Sequence, residues 1–158
     1  MNAPEKSRRE YVVAKLQILA SSENIYVVWN DGTGATDGWH PVESDTKNAQ
    51  SEWKWSKKTA TLSFKNPKKD STLYFEYDAR PDLFTPPQQV TLKIGDQEVG
   101  RFAADAKSPT ILTFPLTSAQ LGTGDMVNLV LDVDRTFKPG SDPRELGIRV
   151  FHVYVEPK

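Results

Sequence analysis

The 158-residue chain contains no cysteine, which excludes a disulfide framework and any metal site built on thiolates. The compartment stays open, because an envelope protein can lack disulfides as readily as a cytosolic one. Histidine is scarce: His40 and His152 are the only two, and neither stands in a His-Glu-x-x-His helix. No apolar run approaches the roughly 20 residues needed to span a bilayer. The opening Met1–Glu10 stretch is charged and lacks an apolar core, so it reads as a lead-in rather than a signal peptide. Net charge is close to zero as well. The 20 basic residues against 21 acidic ones leave −1, so no bulk field favours nucleic acid or an anionic membrane. No nucleic-acid partner is expected. Phosphate loops, dinucleotide fingerprints and nucleophile elbows are all missing, as are internal repeats and heptads.

What is present is alternation with period two, the mark of half-buried strands. Ala60, Leu62 and Phe64 alternate with Thr61, Ser63 and Lys65. Leu73, Phe75 and Tyr77 alternate with Thr72, Tyr74, Glu76 and Asp78. The same holds for Val90, Leu92 and Ile94, for Leu112 and Phe114, and for Val127, Leu129, Leu131 and Val133. The last segment, Leu146 to Val155, is apolar on both faces, which predicts a central strand covered on both sides. Ile25 to Trp29 reads as a further strand, and Val12 to Leu19 as either a strand or a short amphipathic helix. Gly95-Asp96 marks a hairpin turn, and Thr117 to Gln120 has capping-box spacing closed by Gly122. Eleven prolines fall mostly between the strands. These features predict an all-β protein, an antiparallel β-sandwich or jelly roll with one short helical turn. Residues 1–22 form the lead-in with its candidate first strand, and residues 23–158 the sandwich domain. Leu73, Phe75, Leu92, Leu129, Leu131, Ile148 and Val150 are the expected core.

Few residues are set up for catalysis. Asp132 and Asp134 share a strand face about 7 Å apart, but solvent-facing strand carboxylates explain them better than an acid–base pair. His152 lies on the phase of Ile148 and Val150 and reads as a packed or hydrogen-bonded strand residue. Asp142 lacks EF-hand ligand spacing, and neither metal nor cofactor is expected. The lysines from Lys65 to Lys69 read as a solvated turn. Trp39, Trp53 and Trp55 are more informative. Trp53 and Trp55 are two residues apart and so point to one side of a strand, while Trp39 sits in a Gly-Pro loop where an exposed indole needs a reason. Indole faces stack on the apolar faces of sugar rings, and Glu43 nearby can hydrogen-bond hydroxyls. The same tryptophans could instead close one end of the core. Arg144, beside Asp142, either fixes its loop by an ion pair or meets an oxygen-rich ligand at the rim.

Gly38-Trp39, Glu43, Trp53-Lys54-Trp55, the Gly95-Asp96 hairpin, Phe137-x-Pro139 and Asp142-x-Arg144-x-Leu146-Gly147 together resemble a bacterial accessory β-sandwich module. That module, carbohydrate-binding-like, is attached to envelope and membrane glycosyltransferases. The resemblance covers residues 23 to 156. It implies a non-catalytic domain contacting a glycan or lipid-linked sugar through Trp39, Glu43, Trp53, Trp55 and Arg144. A membrane glycosyltransferase in the same chain or complex is the implied partner. The implied location is the extracytoplasmic side of the envelope, or the cytoplasm for a chain outside such an enzyme. A structural module that packs on a catalytic or membrane partner is the alternative, and an enzyme without a recognisable motif the third reading.

Overall fold

A computed structural model describes residues 26–29, 37–45 and 48–158. The Val12–Leu19 segment lies outside them. Ten strands run through the described residues: β1 (Tyr26–Trp29), β2 (Glu43–Asp45), β3 (Asn48–Trp55), β4 (Thr59–Lys65), β5 (Ser71–Asp78), β6 (Gln89–Ile94), β7 (Gln97–Ala103), β8 (Thr110–Leu116), β9 (Met126–Val133) and β10 (Arg149–Pro157). A single 3-10 turn occupies Pro81–Leu83, and one helical turn, α1, occupies Ser118–Leu121. The predicted capping box is present at α1. The Thr117 hydroxyl accepts from the Gln120 amide, and the Gln120 side chain accepts from the Thr117 amide.

The strands form two sheets with antiparallel pairings throughout. One has the order β2-β3-β10-β5-β8, with β1 also pairing β10, and the other β4-β9-β6-β7. Alternation along each strand sends one set of side chains between the sheets, and these are the apolar sets read from the sequence. Leu73, Phe75, Leu92, Leu129, Leu131, Ile148 and Val150 are all buried in one core. Phe102 of β7 packs against Phe75, Tyr77 and Phe114, with centroids 5.9, 4.8 and 6.0 Å away. At one pole, buried Asn66 donates from Nδ2 to the carbonyls of Gly122 and Gly124 and accepts from the Lys68 amide. This ties the β4–β5 connection to the end of α1.

β10 is central, as its apolar run predicted, but it begins at Arg149 rather than Leu146. Leu146 instead bridges Phe137 across the preceding loop. A bulge between Val150 and His152 breaks the register against β5; His152 is the hydrogen-bonded strand residue expected, but it leaves the phase of Ile148 and Val150. Val150, Val153 and Val155 face the core, so the extra residue turns Arg149, Phe151, His152 and Tyr154 to the outer face. There the His152 Nδ1 pairs with Glu76 Oε1 at 2.7 Å, and its ring stacks on Tyr154.

Candidate functional site

The sheet register assembles most of the candidate residues on one outer patch. β2 sets Glu43 opposite Trp53, and β10 sets Arg149 opposite both Trp55 and Asp78. Residues directly opposite in a ladder share a face, so Glu43, Trp53, Trp55, Arg149 and Asp78 lie on one side of the sheet. Arg149 forms a two-bond fork with Asp78, at 2.7 Å from Nε and 2.6 Å from Nη2. Its guanidinium carbon lies 4.7 Å from the Trp53 ring, 5.3 Å from Phe151 and 5.7 Å from Trp55. The cation therefore fills the space among three rings, an arrangement favourable by roughly 0.5–2 kcal/mol per cation–π pair. The aromatic row continues past Trp55 to Phe137 at 5.7 Å and on to Phe84 at 6.0 Å, both edge to face.

The loop before β10 brings in Arg144. Its guanidinium binds Asp142 at 2.9 Å from Nε and reaches Glu43 at 3.4 Å from Nη1. His40 Nε2 donates to the Glu145 carbonyl at 2.8 Å, which pins the same loop from the other side. Asp142 also accepts from the Arg144 amide. The Arg144 side chain, then its amide, hold the Asp142 carboxyl below the usual carboxylate range, and the same pairing raises Arg144. A depressed carboxyl contributes stability that is complete above its unfolded value of about 3.9 and is lost as pH falls through the lower folded value. The side-chain carboxyl ¹³C signal of Asp142 should therefore titrate below about 3.9, and Arg144→Ala should move the midpoint back towards it. A midpoint insensitive to that substitution would rule out the clamp.

Trp39 does not join this patch. It was expected as an exposed loop indole, but it is half-buried and packs against the core. Trp39 bridges Ser56, one residue beyond Trp55, and alternation turns it to the opposite face. Its Nε1 donates to the Thr61 carbonyl at 2.9 Å, closing the gap between the sheets beside β4. Sequence reasoning missed Arg149, Phe151 and Phe84. Arg149 left a signal, as the one cation inside the apolar run Leu146 to Val155, where a charge needs a partner.

Asp132 pairs with Lys58, and Asp134 accepts from the Gln89 amide beside Arg135. Both are solvent-side strand-end groups. No cluster of three or more His, Asp or Glu side chains converges as metal ligands among the described residues. A shallow cavity lined by Lys68, Lys69, Asp70, Ser118 and Lys158 lies at the opposite pole, with no aromatic ring on its walls.

Two stacked antiparallel sheets make this chain an antiparallel β-sandwich. The particular likenesses are to solved structures. One is a carbohydrate-binding module, CBM6cm-2 of Cellvibrio mixtus lichenase 5A in complex with cellotriose, at 10% identity and TM-score 0.52, covering 84% of this chain and 96% of that one. Another is a family GH115 4-O-methyl-α-glucuronidase with specificity for decorated arabinogalactans, at 14% identity and TM-score 0.55. That match covers 82% of this chain but only 17% of the glucuronidase chain. No family model and no curated protein matches the sequence. At these identities the likeness establishes the fold alone.

Proposed function

We propose that this chain is a non-catalytic glycan-binding domain whose contact surface is the outer patch of Trp53, Trp55, Glu43 and Arg144. One observation carries the reading. Two indoles lie side by side on the outer face of the sheet, outside the core, with a charged rim of Glu43, Arg144 and Asp142 fixed beside them. Aromatic rings beside preset hydrogen-bonding groups are the physical needs of sugar recognition. The β-sandwich fold shared with a cellotriose-binding module supports it. An accessory role beside an envelope glycosyltransferase, with a lipid-linked sugar as ligand and an extracytoplasmic position, follows from the resemblance in the Gly38-Trp39 and Asp142-x-Arg144 motifs.

Native affinity electrophoresis through gels containing xylan, β-1,3-glucan, galactan, hydroxyethylcellulose or polygalacturonate tests this directly. At least one gel should retard the protein, and Trp55→Ala should abolish the retardation. The chain should release no product from sugar nucleotides or aryl glycosides, since no nucleophile–base pair is assembled among the described residues. A protein-docking module is the second reading, favoured by Arg149 already occupying the space among Trp53, Trp55 and Phe151. Free migration through every gel would put it first.

A further inference from the structure

The pole opposite the aromatic patch gathers three lysines around one open depression. Lys68 and Lys69 come from the β4–β5 connection and Lys158 follows β10; Asp70 and Ser118 complete the lining. Backbone pairing sets them there. Pro157 stands opposite Ser71, the Lys158 amide donates to the Asp70 carbonyl at 2.9 Å, and the Ser118 amide donates to Asp70 Oδ1 at 2.8 Å. Asp70 is the one acidic side chain on these walls, and it is committed to the start of α1. Neither Lys69 nor Lys158 enters a side-chain ion pair among the described residues, and Lys68 reaches only Asp125, at 3.4 Å. Asp125 is 96% exposed, so water screens that pair. Like charges around one depression repel one another unless an anion lies between them.

Lys68 also stands where its residue type is unfavourable. Its φ is +57, directly after Pro67, at the position that Gly or Asn takes in a type II turn. Buried Asn66 enforces this backbone. Its Oδ1 accepts from the Lys68 amide at 2.8 Å, while its Nδ2 holds the carbonyls of Gly122 and Gly124 at 3.0 and 2.9 Å. A lysine kept in a left-handed conformation, on the wall of a depression already crowded with positive charge, breaks two local rules at one place. Such coincidences mark contacts rather than packing.

We propose that this depression binds a phosphoryl group, with the ammonium groups of Lys68, Lys69 and Lys158 and the Ser118 hydroxyl as its donors. Lysine meets phosphate as a point charge on a flexible stem. A phosphoryl group carrying about two negative charges near neutral pH is drawn by three such cations more strongly than a single carboxylate is. The group belongs either to a soluble phosphate ester or pyrophosphate, or to a phospholipid headgroup. The site is separate from the aromatic patch and stands whether or not that patch binds a glycan.

Lys68→Gly isolates the claim, because it removes a charge and relaxes the strained backbone together. Its urea midpoint should hold or rise, while phosphate binding falls. In ¹H–¹⁵N spectra of the wild type titrated with inorganic pyrophosphate, the amides of Lys68, Lys69 and Ser118 should shift together. The affinity should drop about tenfold in Lys68→Gly and likewise in Lys158→Ala, the scale of one hydrogen bond to a charged group. Lys138→Ala, in the loop beside the aromatic patch, should leave it unchanged. Co-sedimentation with vesicles of phosphatidylcholine and phosphatidic acid separates the two sources. Pyrophosphate shifts identify a soluble ligand, and vesicle binding without them identifies a headgroup; the same two lysine variants should weaken either. Absence of both overturns the proposal. Equal weakening by Lys138→Ala reduces the binding to net charge and overturns the site, as does undiminished binding in Lys68→Gly. A lowered midpoint in Lys68→Gly means that Lys68 serves the fold, and overturns the argument from strain.

Discussion

Gly38→Ala should destabilise the domain by about 2–5 kcal/mol, whereas Gly95→Ala should cost only about 1–2 kcal/mol. Both glycines have positive φ, +85 and +62, so each substitution carries a left-handed backbone penalty of roughly 1–2 kcal/mol. The difference is steric. A Cβ at Gly95 meets nothing within 4 Å, while at Gly38 it runs into the Thr59 carbonyl oxygen and lies 2.7 Å from the Ala60 Cα. Those neighbours are backbone and cannot rotate away, so β4 itself must shift, at an overpacking cost of about 1–3 kcal/mol. The stretch is also hydrogen-bonded in place. The Lys57 amide donates to the Gly38 carbonyl and the Thr61 amide to the Asp37 carbonyl, both at 2.8 Å. Total stabilities of small domains are about 5–15 kcal/mol, so Gly38→Ala should lose much of the folded population on mild warming. Urea unfolding of the two variants side by side measures the gap. Equal midpoints would mean that the chain does not pass this close to β4. The consequence reaches the site, because Gly38 is what lets Trp39 turn inward and His40 pin the Arg144 loop.

The strands of the sandwich core were legible because burial on one face of a pleat writes itself as alternation. β4, β5, β6 and β9 appear in the sequence almost residue for residue, and their inward sets are the core. β2 left no signal, since three residues at a sheet edge carry no period. The bulge in β10 was equally silent. Nothing in Val150-Phe151-His152 states that one residue is unpaired, yet that residue decides that His152 meets Glu76 outside rather than the core inside. The site was legible in part. Spacing alone put Trp53 and Trp55 on one side, and the structure brings Glu43 and Arg144 into contact across 101 residues of sequence. The position of Trp39 was not readable, because a loop has no period and only the bridge to Ser56 fixes its face. The role of Arg149 depends on register with Trp55 on one side and Asp78 on the other, a relation among three distant segments that no local pattern encodes.

Truncation of the tryptophans should separate binding from stability, and it should do so by face rather than by exposure. Trp39 and Trp55 are both half-buried. Trp39→Ala removes an indole packed on the core together with its hydrogen bond to Thr61. Large aromatic truncations in cores cost about 3–5 kcal/mol, and partial exposure brings the expected loss to about 2–4 kcal/mol. Glycan affinity of the fraction that stays folded should be unchanged, because Trp39 is turned away from the patch. Trp55→Ala has the opposite profile. It gives up an edge contact with Phe137 and a distant face to Arg149, so its stability cost should stay near about 1–2 kcal/mol, below that of a core truncation. Loss of the central aromatic anchor of a small interface typically costs 2 kcal/mol or more, about 30-fold in affinity. Urea midpoints combined with affinity electrophoresis at a temperature where both variants are folded give the two profiles. Similar losses of affinity in both variants would place Trp39 in the contact surface after all. Unchanged affinity in Trp55→Ala, with binding retained by the wild type, would move the contact surface off this patch. The crossed result, stability lost at Trp39 and binding lost at Trp55, follows only if residue 56 marks the turn from the outer face to the core.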